Sequence, residues 1–303
     1  MSREQQFLKS YKEALKPIYK HYSVQYLNGK ITKVVINQSM IGTMFSTSKN
    51  YFGNEREYCP KNIQEVYIKG VGNVRNVYME RGIYFEERTI EPESDRKTII
   101  PLTSSGKKSA IHTRLDDQID MFPSIAKQFD MIIMPDYRNC QVENIMRVDG
   151  FDDIQVFLKM KLDIVTPFLH EGKFYESAVV DIKTTGDLNN YWSKPESIDI
   201  AQGVTYSLAT KLPFFYLVFD YSTAKRHKAF RVATSYGCTD DELNECKLRD
   251  AEMGEIIRKT AYRIIQHESE GYDYVPSGKN CKGCPLNPDH GGTCVQANRD
   301  NVL

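Results

Sequence analysis

Residues 176–187 read Glu-Ser-Ala-Val-Val-Asp-Ile-Lys-Thr-Thr-Gly-Asp. Ser177 to Val180 is a short β-favouring run that delivers Asp181 and Lys183 just ahead of a Thr-Thr-Gly turn. Side chains alternate along a strand, so Asp181 and Lys183 share a face. A carboxylate and an ammonium at the end of a buried strand are costly to desolvate unless they pair or hold charged ligands. Acid-x-Lys triplets also begin at Asp95, Glu171 and Glu245, but only the one at Asp181 follows an apolar strand-like run.

Upstream, residues 155–165 (QVFLKMKLDIV) form a second strand pattern. Phe157, Lys159, Lys161 and Asp163 fall on one parity, and Leu158, Met160, Leu162 and Ile164 on the other. An aspartate in one strand followed by Asp-x-Lys in the next is a pattern that converges two carboxylates on one hard divalent cation, with a lysine beside it.

The remaining chain supplies a frame for these strands. An Asn28-Gly29 turn between β-favouring stretches predicts a hairpin. A polar stretch containing Cys59-Pro60 follows, and a helix is expected from about Asn62. Residues 76–88 read as a helix that carries Gly82 and Glu86 on one face. A helical pattern over 111–134 is interrupted at Pro123, where a kink is expected. Strands run from Gln141 to Thr184 through an Asp149-Gly150 turn and a loop at 170–174. A helix over 196–210 sets Gln202 and Tyr206 one turn apart, and strands follow at 213–221 and 227–234. A long helix opens at Thr239, with a capping box to Glu242, and reaches about Ser269. The order predicts an α/β protein with a mixed sheet covered by helices on both faces. Three regions are expected: 1–75, contributing Cys59; a core over 76–275; and a cysteine-bearing segment over 276–303.

The 303 residues suffice for a sizeable core, and 40 basic residues balance 40 acidic ones. No global field draws in a polyanion, so affinity for nucleic acid would come from local patches or a bound metal. Residues 2–20 form a charged amphipathic helical pattern without the apolar core of a signal peptide, and no run reaches the length of a membrane span; a cytoplasmic location is expected. Seven cysteines then read as thiols or metal ligands. Cys281, Cys284, His290 and Cys294 are spaced close to a zinc-knuckle pattern.

Taken together, these elements resemble the RecB-like branch of the PD-(D/E)XK nuclease superfamily from about Ser46 to Cys294. The family's Gly-x-x-x-Glu/His helix motif matches Gly82 and Glu86, its first strand acid Asp163, its Asp/Glu-x-Lys pair Asp181 and Lys183, and its Gln-x-x-x-Tyr motif Gln202 and Tyr206. Lys161 stands where the family often has glycine. The resemblance implies a restriction-endonuclease-like core in which Glu86, Asp163, Asp181 and the carbonyl of Ile182 ligate Mg²⁺ or Mn²⁺. Lys183 would hold the attacking hydroxide, and Gln202 and Tyr206 would position the strand or Lys183. Tyr58-Cys59-Pro60 with Cys281, Cys284 and Cys294 is similar to the four-cysteine [4Fe-4S] set of CRISPR-associated and helicase-linked members. A structural Zn²⁺ held by Cys281, Cys284, His290 and Cys294 is the alternative. The implied function is metal-dependent DNA exonuclease activity at DNA ends, in recombination, repair or phage DNA metabolism. No GxxxxGK[ST] motif is present, so a helicase or recombination partner would be a separate chain. A non-catalytic nucleic-acid-binding module or a structure-specific endonuclease are the competing expectations.

Overall fold

The computed structural model describes residues 24–46, 51–69, 76–92, 98–100, 104–189, 192, 201–222, 230–236, 240–269, 284–288, 292 and 294. Its sheet comprises β1 (Val24–Leu27), β2 (Lys30–Asn37), β3 (Cys140–Val148), β4 (Gln155–His170), β5 (Lys173–Thr185), β6 (Phe214–Asp220) and β7 (Phe230–Tyr236). The strands lie in the order β1-β2-β4-β5-β6-β7, with β3 also on β4. Pairing is parallel for β2 with β4 and for β5 with β6, and antiparallel elsewhere. Two tight turns set the local register. Asn28-Gly29 joins β1 to β2 with φ of 51° and 77°, and Glu171-Gly172 joins β4 to β5 with φ of 50° and 77°. Left-handed residues at both central positions give a hairpin the twist that matches its strands.

The helices are α1 (Gln38–Met44), α2 (Pro60–Ile63), α3 (Val77–Thr89), α4 (Ala110–Gln128), α5 (Ala201–Thr210) and α6 (Asp240–Ser269). The helix expected from Asn62 opens at Pro60 and widens into a π-helical turn over Gln64–Ile68. α4 runs through Pro123 to Gln128. The missing Pro123 N–H costs one bond to the preceding turn, and the burial of Phe122 and Ile125 on either side holds the helix to the sheet. The expected helix over 2–20 and the Thr239 cap lie outside the described residues.

Helices cover both faces of the sheet, as its order of elements predicts. On one face Val34, Ile36, Val156, Leu158, Met160, Leu162, Val179 and Tyr216 pack with residues of α1, α5 and α6. On the other, Ile164, Phe168, Val180, Ile182, Phe215 and Leu217 pack with Phe85 of α3 and with Phe122 and Ile125 of α4. Each large apolar side chain so buried contributes roughly 1.5–3 kcal/mol. Among the described residues no helix is long and apolar enough to cross a membrane.

The sheet forks along β4. One edge of β4 carries β3 from Val156 to Ile164. The other edge is shared: β2 pairs with Gln155 to Lys159, and β5 pairs from Ile164 onward. Between those two partners the edge is left open, and β5 beyond Val180 continues against β6. Side-chain alternation also shifts here. Leu158, Met160 and Leu162 belong to the α5/α6 face, yet Val165 belongs to that same face and Ile164 to the opposite one. The unbroken parity expected from the sequence therefore fails at Asp163. Opposite it on β3, Gln141 has φ of 51°, a left-handed conformation that interrupts regular alternation.

Candidate active site at the sheet fork

A fork leaves backbone groups without ladder partners, and buried ones must be satisfied another way. Asp163 Oδ2 accepts from the Ile182 N–H at 2.8 Å. The Tyr206 hydroxyl of α5 donates to the Lys161 carbonyl at 3.0 Å. The acid of β4 and the tyrosine of α5 thus bridge the two diverging strands.

Asp181 and Lys183 lie on one face, as alternation requires, and form an ion pair through Asp181 Oδ2. The other carboxylate oxygen, Oδ1, accepts from Gln202 Nε2, which also lies 3.3 Å from the Tyr206 hydroxyl. Asp181 is fully buried, so these contacts offset its desolvation; removing one partner of such a pair typically costs 3–5 kcal/mol. Lys183 keeps 34% of its side-chain surface exposed and stands 5.6 Å from the Tyr216 ring centroid.

Glu86 reaches the site from α3. Asn76 caps that helix by accepting from the Tyr78 and Met79 N–H groups. Gly82, one turn before Glu86, faces the end of β5: a Cβ there would lie 3.8 Å from Thr184 Oγ1. The Glu86 carboxyl is pushed up to about 8, first by burial and then by the charge of Asp163, with Asp181 adding to it and Lys183 and Lys161 opposing. Asp163 is also raised, by burial, against the pull of Lys183, the Ile182 N–H, Lys161 and Gln141. Burial alone would lower Lys183, but Asp181 and Asp163 override it and hold the ammonium charged. Burial and the same two acids raise Tyr206, which stays a neutral donor.

Acids from α3, β4 and β5 thus lie near enough to one lysine to shift its charge and one another's, and their oxygens are hard donors of the kind a divalent cation takes. Among the described residues no group of three or more His, Cys, Asp or Glu side chains stands close enough together to hold a metal ion. Lys183 donates to one oxygen of Asp181 and Gln202 to the other, so a cation bound there would share the carboxylate with both. The Lys161 side chain points to Glu91, 3.7 Å away, and does not crowd the acids.

The structure brings together all six expected site residues: Glu86, Asp163, Asp181, Lys183, Gln202 and Tyr206. It adds Gln141, whose Nε2 approaches Asp163 Oδ1 at 3.4 Å. A lone glutamine early in a strand carries no sequence signal; its left-handed backbone exists only once β3 lies against β4.

Of the cysteines, Cys59 and Cys284 are buried free thiols and Cys294 is half-buried, whereas Cys281 and His290 lie outside the described residues. The Tyr58 hydroxyl lies 3.3 Å from His267 Nε2, which sets the last turn of α6 beside Cys59. Gly292 passes so close to the Leu286 backbone that a Cβ would lie 2.2 Å from its carbonyl carbon, so the turn beyond Cys284 admits only glycine there.

No family model matches the chain. No curated protein sequence matches it either. Among solved structures, one described as the crystal structure of SSO0001 is similar at a TM-score of 0.36 and 12% identity, over 93% of this chain and 91% of that one.

Proposed function

We propose that the chain is a metal-dependent deoxyribonuclease that hydrolyses phosphodiester bonds at DNA ends. The observation that carries this reading is the approach of Glu86, Asp163, Asp181 and Lys183 to one another at the fork, from one helix and two strands. Glu86, Asp163, Asp181 and the Ile182 carbonyl are the oxygen donors for Mg²⁺ or Mn²⁺; the ion, when bound, lowers the pKa of a water and neutralises phosphate charge. Lys183, held charged by its two aspartates, stabilises negative charge on the phosphate oxygens. Gln202 fixes the Asp181 carboxylate, and Tyr206 fixes the fork through the Lys161 carbonyl. The buried thiols Cys59 and Cys284, with Cys281 and Cys294, hold a [4Fe-4S] cluster in this reading. DNA is the substrate, and any helicase or recombinase acts as a separate partner.

Wild type incubated with end-labelled single- and double-stranded DNA and Mg²⁺ or Mn²⁺ is expected to release label, and Asp181→Asn to be slower by at least about 10²-fold. Equal degradation by both proteins rejects the proposal. Binding without cleavage in either metal replaces it with a non-catalytic binding module, and cleavage of covalently closed circles replaces exonuclease with endonuclease.

A further inference from the structure

The face of α3 that carries Glu86 continues past the acids to a second chemical feature. Tyr78, Gly82 and Glu86 recur at intervals of four residues and so form one stripe along the helix. At 1.5 Å per residue, Tyr78 lies about 12 Å from Glu86, which approximates two nucleotides of a single strand. Gly82, half-buried between them, lies beside the end of β5, where a Cβ would be 3.8 Å from Thr184 Oγ1.

At the far end, Tyr78 is 67% exposed, beside exposed Val77 and Met79. The Arg81 guanidinium stands between two tyrosine rings, 5.6 Å from the Tyr78 centroid and 5.1 Å from that of Tyr221, and its Nη1 lies 3.4 Å from the Tyr221 hydroxyl. Tyr221 is itself buried and fixed: its N–H donates to the Thr185 carbonyl at 2.8 Å, and the position of a Gly186 Cβ would be 3.2 Å from its ring. Among the described residues no carboxylate forms an ion pair with Arg81, and the two rings flank its charge.

We propose that Tyr78 and Arg81, backed by Tyr221, form a subsite for single-stranded DNA: the Tyr78 ring stacks on an unpaired base, Arg81 contacts a phosphate, and the strand follows α3 toward the acids. An exposed aromatic face and an uncompensated cation beside it are what an unpaired, sequence-independent strand requires. An intact duplex keeps its bases paired and stacked on one another, so the subsite favours single strands. This inference rests on the nuclease reading of the fork for its direction, but its binding test does not.

The test is fluorescence anisotropy of a short labelled DNA strand of mixed sequence, and of the same sequence as a blunt duplex, in EDTA so that nothing is cleaved. Tyr78→Ala and Arg81→Ala are each expected to weaken single-strand binding about 10-fold, with Tyr78→Phe retaining wild-type affinity because the ring is kept. Duplex binding is expected to change little in Tyr78→Ala. Unchanged single-strand affinity in Tyr78→Ala, or an equal loss in Tyr78→Phe, overturns the subsite. Should wild type degrade DNA while both alanine variants bind normally, the subsite falls and the nuclease stands. Should Tyr78-dependent binding occur without cleavage in Mg²⁺ or Mn²⁺, the subsite stands and the nuclease falls.

Discussion

Among the described residues no hydrogen bond to the Glu86 carboxyl offsets its burial, and its neighbours Asp163 and Asp181 are of like charge; the carboxyl is accordingly pushed up to about 8 from the ordinary 4.5. Below 4.5 both folded and unfolded states carry the proton. Between 4.5 and about 8 the unfolded chain gives it up while the folded one keeps it, so stability falls as pH rises through this window. The thermal midpoint of metal-free wild type is therefore expected to decline across that interval, and Glu86→Gln to flatten the decline and exceed wild type near neutral pH. Parallel pH profiles for the two proteins would contradict this account. Gln141 carries a different burden, a φ of 51° in a side chain with a Cβ. Gln141→Ala keeps that strain and loses the contact to Asp163, whereas Gln141→Gly loses the contact but relieves the strain. The glycine variant is expected to be the more stable of the two by about 1 kcal/mol in urea unfolding, and the reverse order would show that the left-handed conformation is not held.

Among the elements, α3 positions both the acid and the approach to it. Its first turn is capped by Asn76, Phe85 anchors it in the α3/α4 face of the core, and Gly82 lies beside Thr184. A methyl group at Gly82 meets Thr184 Oγ1 at 3.8 Å, an ordinary contact, while a glycine in a helix interior forfeits backbone entropy. Gly82→Ala is thus expected to raise unfolding free energy by about 0.5–1 kcal/mol, and a destabilised variant would mean that α3 packs more tightly on β5 than this contact implies. The helix and its Gly-x-x-x-Glu spacing are legible in the sequence because both are local. So are Asp181 and Lys183, whose shared face follows from strand alternation and ends in the ion pair. Asp163 was legible as a strand acid, but its face was not, since Gln141 breaks the alternation from a neighbouring strand.

Across the molecule, the fork in β4 is what turns separate acids into a cluster. The hairpin of β1 and β2, in the region expected before residue 76, joins the same sheet and supplies one arm of that fork, and β5 supplies the other. The contact of Tyr58 with His267 then draws the end of α6 to Cys59 across the chain. If a [4Fe-4S] cluster ties these parts together, anaerobically purified protein is coloured and holds iron and sulfide, and Cys59→Ser lowers both along with the thermal midpoint. Zinc without iron, unaffected by Cys59→Ser, would assign the knuckle of Cys281, Cys284, His290 and Cys294 instead. The tight turns at Asn28-Gly29 and Glu171-Gly172, the apolar strands, the helices with their caps and the identity of the acids all follow from short-range chemistry, and short-range chemistry is what a linear chain displays. The open edge of β4, the reversal at Asp163 and the grip of Tyr206 on the Lys161 carbonyl do not, because the backbone groups that the fork leaves without ladder partners, and the side chains that satisfy them, come together only after the chain has folded.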